Sequence, residues 1–231
     1  MGVSFEKIGH SCGTRSGLQV FYHEDRPEGS QYDGYCFACN KVVDDPYEEG
    51  HVPDKQKLDK PDFKKQLGEI RSLKPCDLPT RHLRKEVLAL YGVRVGLSQT
   101  DGETPTEVYF PYFKGTSKIP ARVKVRVLEP KRMWSYSSGE KDIDLFGWQQ
   151  AVAAGTRKLY ITEGEFDAMA VRTILERFNK GDYDIPVPVS LPNGAATAKK
   201  DLTRLSKKIR QHFDEIVLVF DKDAAGQKAQ A

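Results

Sequence analysis

Three groups of residues in this chain have types and spacings that do chemistry. The first is a set of nitrogen and sulfur donors. Cys36-Phe37-Ala38-Cys39 forms a C-x-x-C knuckle, and His10 and Cys12 stand well upstream as H-x-C. A tetrahedral zinc ion takes four such donors, commonly as two close pairs from separate turns. His10, Cys12, Cys36 and Cys39 are therefore expected to hold one structural Zn²⁺. H-x-C is tighter than the usual gap, so His23 or His51 could replace His10. A redox-active C-x-x-C is the competing chemistry, but it needs a strand-to-helix junction that the local pattern does not offer. Cys76 is isolated and reads as a plain thiol.

The second group is acidic. Thr162-Glu163-Gly164-Glu165-Phe166-Asp167 and Asp221-Lys222-Asp223 each follow a short apolar run. If those runs are neighbouring parallel strands, both clusters lie at the carboxyl edge of a sheet, where such folds bind ligands. Glu163, Asp221 and Asp223 would repel one another unless a cation sat among them, and hard oxygen donors suit Mg²⁺, one ion or two. The simpler reading makes Glu163, Glu165, Asp167 and Asp223 helix-capping acids. Capping leaves the strand-end Asp221 unexplained.

The third group is basic. Ala121-Arg-Val-Lys-Val-Arg-Val-Leu128 alternates, so Arg122, Lys124 and Arg126 share one strand face and the valines the other. Side chains two apart on a strand are about 6–7 Å from each other, close to phosphate spacing. No acid is interleaved to relieve their repulsion, so the expectation is an exposed ledge for a polyanion. Farther on, Asn193-Gly-Ala-Ala-Thr-Ala-Lys199-Lys200 leads into a helix, where small residues let backbone amides approach an anion beside the two lysines.

Residues 1–43 are rich in Gly, Cys and aromatics and read as short strands and turns. The stretch 44–65, with two acid-rich runs and three prolines, reads as a flexible linker. A helix is expected from Pro79-Thr80 to the stop at Gly92, then strands at 107–113 and 121–128. Strand-like runs at 158–162, 187–191 and 216–220 alternate with helical runs at 166–178 and 197–212, the signature of a parallel sheet with right-handed crossovers. The last residue, Ala231, falls within what should be the next helix, so this sheet is expected to be incomplete.

Composition narrows the class. Apolar residues make up 39% of the 231 positions. Adding the 19 glycines gives about 47%, an ordinary globular value that excludes a wholly disordered chain. No long apolar run provides a membrane span. The 36 basic and 33 acidic residues leave only +3, yet 114–132 holds seven bases against one acid. The N-terminus lacks the apolar stretch of a secretory signal. A cytoplasmic protein with reduced thiols is expected, and clustered thiols there point to metal before disulfides.

At these residues the chain resembles the primase half of T7-like bacteriophage primase–helicases. The likeness runs through YCFAC at 35–39, KVRV at 124–127, DLFG at 144–147, ITEGEFDAM at 161–169, NGAATAKK at 193–200 and FDKDAAGQKA at 220–229. It implies an α/β fold in four parts. They are a β-rich zinc ribbon at 1–43, the linker at 44–65, an α+β polymerase subdomain at 66–155, and a Toprim parallel-sheet domain at 156–231, cut short at its C-terminus. It also implies Mg²⁺-dependent synthesis of short RNA primers on single-stranded DNA from ribonucleoside triphosphates, in the host cytoplasm. A replicative helicase, in the same chain or separate, and a DNA polymerase would be its partners.

By matching motif positions, Glu163, Asp167, Asp221 and Asp223 fall on the family's acidic metal site. Lys124 falls on a lysine that contacts nucleotide phosphates, and a second such lysine falls at Lys131 or Arg132. Phage members use four cysteines for zinc. The His10–Cys12 pair departs from them and matches bacterial primases, which place a histidine among three cysteines. Toprim acids alone are shared with topoisomerases and nucleases. A Toprim nuclease, or a zinc-dependent single-stranded-DNA-binding module with an inactive catalytic half, are the rival expectations.

Overall fold

The computed structural model describes residues 3–23, 25–27, 29–47, 63–181, 183–222 and 226–227. The chain divides into two compact units, 1–58 and 59–231.

The first unit is an antiparallel sheet of β1 (Val3–Ile8), β2 (Leu18–Tyr22), β3 (Tyr32–Cys36) and β4 (Lys41–Val43), in the order β1-β2-β3-β4. Among its described residues the buried apolar side chains are Leu18, Val20 and Cys36. Aromatic contacts extend this small core: the Tyr32 ring lies 5.4 Å from Phe5, 5.2 Å from Tyr22 and 5.3 Å from Tyr47.

The second unit begins with α1 (Phe63–Ser72), which starts inside the stretch expected to be linker. Phe63, Leu67 and Ile70 recur at helical spacing and give it one apolar stripe, packed on Val123. The helix expected from Pro79 to Gly92 is broken. Pro79–Arg81 is a single 3₁₀ turn, His82 takes a left-handed φ of 52°, and α2 runs only from Lys85 to Leu90. A left-handed residue cannot continue an α-helix, and the backbones of Leu78 and Leu83 pair across the break.

Four antiparallel strands follow in the order β5 (Arg94–Leu97), β6 (Pro105–Tyr112), β7 (Arg122–Val127) and β8 (Arg132–Ser137). β6 and β7 fall where alternation put them, whereas β5 and β8 were not expected. A short helix, α3 (Trp148–Ala153), leads to a three-stranded parallel sheet ordered β10-β9-β11: β9 (Lys158–Thr162) is central, β10 (Val189–Ser190) and β11 (Glu215–Val219) flank it. Helices α4 (Glu165–Phe178) and α5 (Ala198–His212) make the crossovers. The alternation of strand and helix expected for a parallel sheet is thus present.

One hydrophobic core joins the two sheets of this unit. Phe110 of β6 packs edge-on against Phe146 (5.8 Å) and Phe166 of α4 (5.3 Å), and Tyr91 stacks on Phe146 at 5.0 Å. The front of β7 is thereby brought against the head of α4.

Candidate active site and metal centre

In the first unit, ligand atoms of His10, Cys12, Cys36 and Cys39 all lie within 4.8 Å of one another. The two sulfurs of Cys12 and Cys36 are 3.7 Å apart, and Cys39 Sγ lies 3.5 Å from His10 Nδ1. Zn–S bonds near 2.3 Å and Zn–N bonds near 2.0–2.1 Å give a tetrahedron with edges of about 3.8 Å (S···S) and about 3.6 Å (S···N). The observed separations fit those edges, so the group can hold a zinc ion. Two hairpins build it. His10 and Cys12 come from the turn after β1, held by His10 N donating to Thr14 O, and Cys36 and Cys39 from the knuckle closed by Asn40 N donating to Cys36 O. His23 is elsewhere, its Nε2 being 2.9 Å from the Asp33 carboxylate. His51 lies outside the described residues. Cys76 packs partly buried against the core of the second unit, and burial followed by the nearby Asp77 pushes its thiol pKa up.

In the second unit, β9 and β11 run in parallel register, Thr162 opposite Val219, so Glu163 and Asp221 emerge at adjacent strand tips. Asp221 N donates to Glu163 Oε1 at 2.9 Å. Thr162 Oγ1 fixes the turn beneath them by donating to Gly164 O or Val189 O, at 3.0 and 3.2 Å. Gly226 closes the pair from the other side: a Cβ there would sit 2.1 Å from Asp221 O and 2.6 Å from Glu163 Oε1, so no side chain fits. Asp167 caps α4, accepting from Gly164 N at 3.1 Å. The surrounding protein, and after it the charge of Asp221, push the Asp167 pKa above its ordinary value. Asp223 lies outside the described residues. Among the described residues, only the His10–Cys39 cluster gathers three or more ligand atoms within 4.8 Å.

The front of β7 differs from the exposed ledge expected of it. Glu165 does not cap α4: it is buried and pairs with Lys124 Nζ at 2.5 Å. Tyr112 OH also donates to Glu165, and the Tyr112 pKa is held well above its ordinary value by burial and then by that carboxylate. The acid that relieves Lys124 comes from another element. Arg122 lies 4.7 Å from the centre of the Tyr112 ring and donates to Pro192 O (3.0 Å) and Asn193 Oδ1 (3.2 Å). Arg126 lies 5.0 Å from the Phe166 ring, as does Arg81, and the buried Nε of Arg126 has no hydrogen-bond partner among the described residues. Burial, then the Arg81 charge, lowers the Arg126 pKa. The three cations are thus half-buried between the sheet and α4.

The remaining basic residues lie apart. Arg132 pairs with Val127 across the β7–β8 ladder, which places it on the valine side of the sheet rather than with Lys124. Lys131 is exposed in the intervening turn. Lys199 and Lys200 are exposed in the first turn of α5, beyond the loop gripped by Arg122. Sequence reasoning missed Arg81, Tyr112 and Gly226. Of these only the D-x-D-x-x-G spacing of Gly226 left a local trace.

Residues 160–231 match a family described as Toprim-like. The DNA helicase/primase of Enterobacteria phage T3 is 41% identical over 76 residues, which are 33% of this chain and 12% of that relative's length. The primase fragment of the bacteriophage T7 primase–helicase superposes with a TM-score of 0.56 at 24% identity, covering 98% of this chain and 82% of that one. A second T7 structure, of the lagging-strand DNA polymerase with primase domains bound to an RNA/DNA hybrid and dTTP, gives 0.51 at 22% identity and covers 97% and 82%. The chain therefore has the fold of phage primase fragments, with a Toprim-like domain at residues 160–231.

Proposed function

We propose that this chain is a DNA primase of the phage primase–helicase type, making short RNA primers on single-stranded DNA from ribonucleoside triphosphates. The observation that carries the reading is the meeting of two charge systems on one edge: Glu163 bonded to the Asp221 backbone, and Lys124, Arg122 and Arg126 drawn against the head of the same domain.

Glu163, Asp221 and Asp223 would hold Mg²⁺, with Asp167 beside them. Their oxygen donors suit it, and the push of Asp221 on Asp167, second to burial in raising its pKa, is like-charge repulsion of the kind a cation relieves. The bound ion supplies neutralisation of triphosphate charge and a lower pKa for the attacking hydroxyl. Lys124 and Arg126 face phosphate oxygens and stabilise charge as pyrophosphate leaves the α-phosphorus. Tyr112 and Glu165 hold Lys124 in place, and Arg122 fixes the 192–197 loop. In the ribbon, His10, Cys12, Cys36 and Cys39 hold Zn²⁺, and the ribbon reads the template. A helicase and a DNA polymerase are the partners of the complete protein.

The test incubates the chain with single-stranded DNA, Mg²⁺ and radiolabelled ribonucleotides. Oligoribonucleotides from the wild type, falling about 10²–10³-fold in Glu163→Gln, are expected. Product equal in Glu163→Gln and wild type, or DNA degradation without ribonucleotides, would exclude the primase reading.

A further inference from the structure

The face of the four-stranded sheet turned away from Lys124 carries a second cation-lined concavity. Helix α1 lies over this face, held by Leu67 and Ile70 against Val123. Beside the helix is a pocket of about 180 Å³, walled by apolar groups including Leu67, Pro120 and Val123. Arg71, Arg94 and Lys118 line it, and no carboxylate does. None of these three cations has an ion-pair partner among the described residues. Arg71, in the last turn of α1, also complements the helix dipole. Arg94 and Lys118 have no such role.

A wider groove of about 500 Å³ adjoins the pocket and shares Leu67, Arg71 and Pro120 with it. Its one lining acid, Glu140, is already neutralised by Lys114 at 2.5 Å. Ile119 is 58% exposed along it. Like charges around an apolar hollow raise one another's energy unless an anion joins them. A patch that is apolar within and cationic around marks a surface for a partner that is the reverse.

We propose that this trough docks an acidic peptide segment of a partner protein. Its carboxylates would lie on Arg71, Arg94 and Lys118, with an apolar side chain in the pocket between α1 and Pro120. A single-stranded nucleic acid would satisfy the cations, but its bases call for exposed planar side chains to stack on. The most exposed apolar group of the trough is the aliphatic Ile119. The proposal draws nothing from the chemistry of the acidic edge and stands independently of the primase reading.

The test is fluorescence anisotropy with the full chain and a labelled decapeptide of Asp and Glu carrying two Phe. Saturable binding that weakens with salt is expected. It should fall at least tenfold in Arg71→Glu with Lys118→Glu. Gly68→Leu should weaken it similarly without any change of charge, because a Cβ at this groove-lining position meets open space and the fold is kept. Thermal melts matching the wild type establish that both variants fold. Equal binding by variants and wild type, or by a decapeptide of Glu alone, overturns the proposal. So does a single-stranded oligonucleotide that outcompetes the peptide and is lost in the same variants.

Discussion

Asp167 does two things with one carboxylate. It accepts the Gly164 amide at the head of α4 and it stands in the field of Asp221. Its folded pKa is raised, so its contribution to stability is largest below the ordinary value of 3.8 and is lost as pH rises through the folded value. Asp221→Asn removes the second-largest cause of that shift. A ¹³C carboxyl titration of Asp167 should therefore move down toward the ordinary value in this variant, with a flatter stability–pH slope above pH 4. An unchanged titration would mean the two acids do not interact. Glu165 shows what residue types alone conceal. Its position in the first turn of α4 reads as a cap, yet its carboxylate belongs to Lys124, 41 residues earlier, and the pairing exists only once β7 packs on α4. Cys36 and Cys39 were legible because their ligand geometry is local.

Among the elements, β7 was the easiest to read. Its alternation survives as buried valines behind and half-buried cations in front. What alternation could not say is what covers the front. Phe110 does much of that work, joining β6 to both Phe146 and Phe166 with no exposure of its own. Phe110→Ala should cost about 3–5 kcal/mol in urea unfolding. If Lys124 serves the proposed primer synthesis, that synthesis should fall as well, even where the variant stays folded. A change below about 1 kcal/mol would mean the two sheets are joined elsewhere. The break at His82 and the early start of α1 were illegible for a related reason. Helical spacing runs on through residues 79–90, and only the Leu78–Leu83 pairing forces a left-handed residue into it. Phe63 carries little weight as a helix signal until Val123 is there to receive Leu67 and Ile70.

At the scale of the whole chain, the two units rest on different physics. Unit 59–231 has a continuous core, whereas the described residues of unit 1–58 bury little apolar surface beyond Leu18, Val20 and Cys36. Fully burying an aliphatic side chain contributes about 1.5–3 kcal/mol, whereas structural zinc contributes about 10–16 kcal/mol of apparent binding energy. Cys36→Ser, or a chelator, should thus abolish amide-exchange protection in β2 and β3 while leaving β9 protected, as hydrogen-exchange mass spectrometry would read. Protection retained in β2 would show that the ribbon folds without metal.

Val123 forms part of the wall under α1, and its two peptide neighbours, Arg122 and Lys124, turn their side chains to the opposite surface. The sheet is a single backbone thick at that point. Whatever wedges behind it leans on the same short rod that presents the lysine in front, so rear occupancy and frontal alignment share one mechanical part.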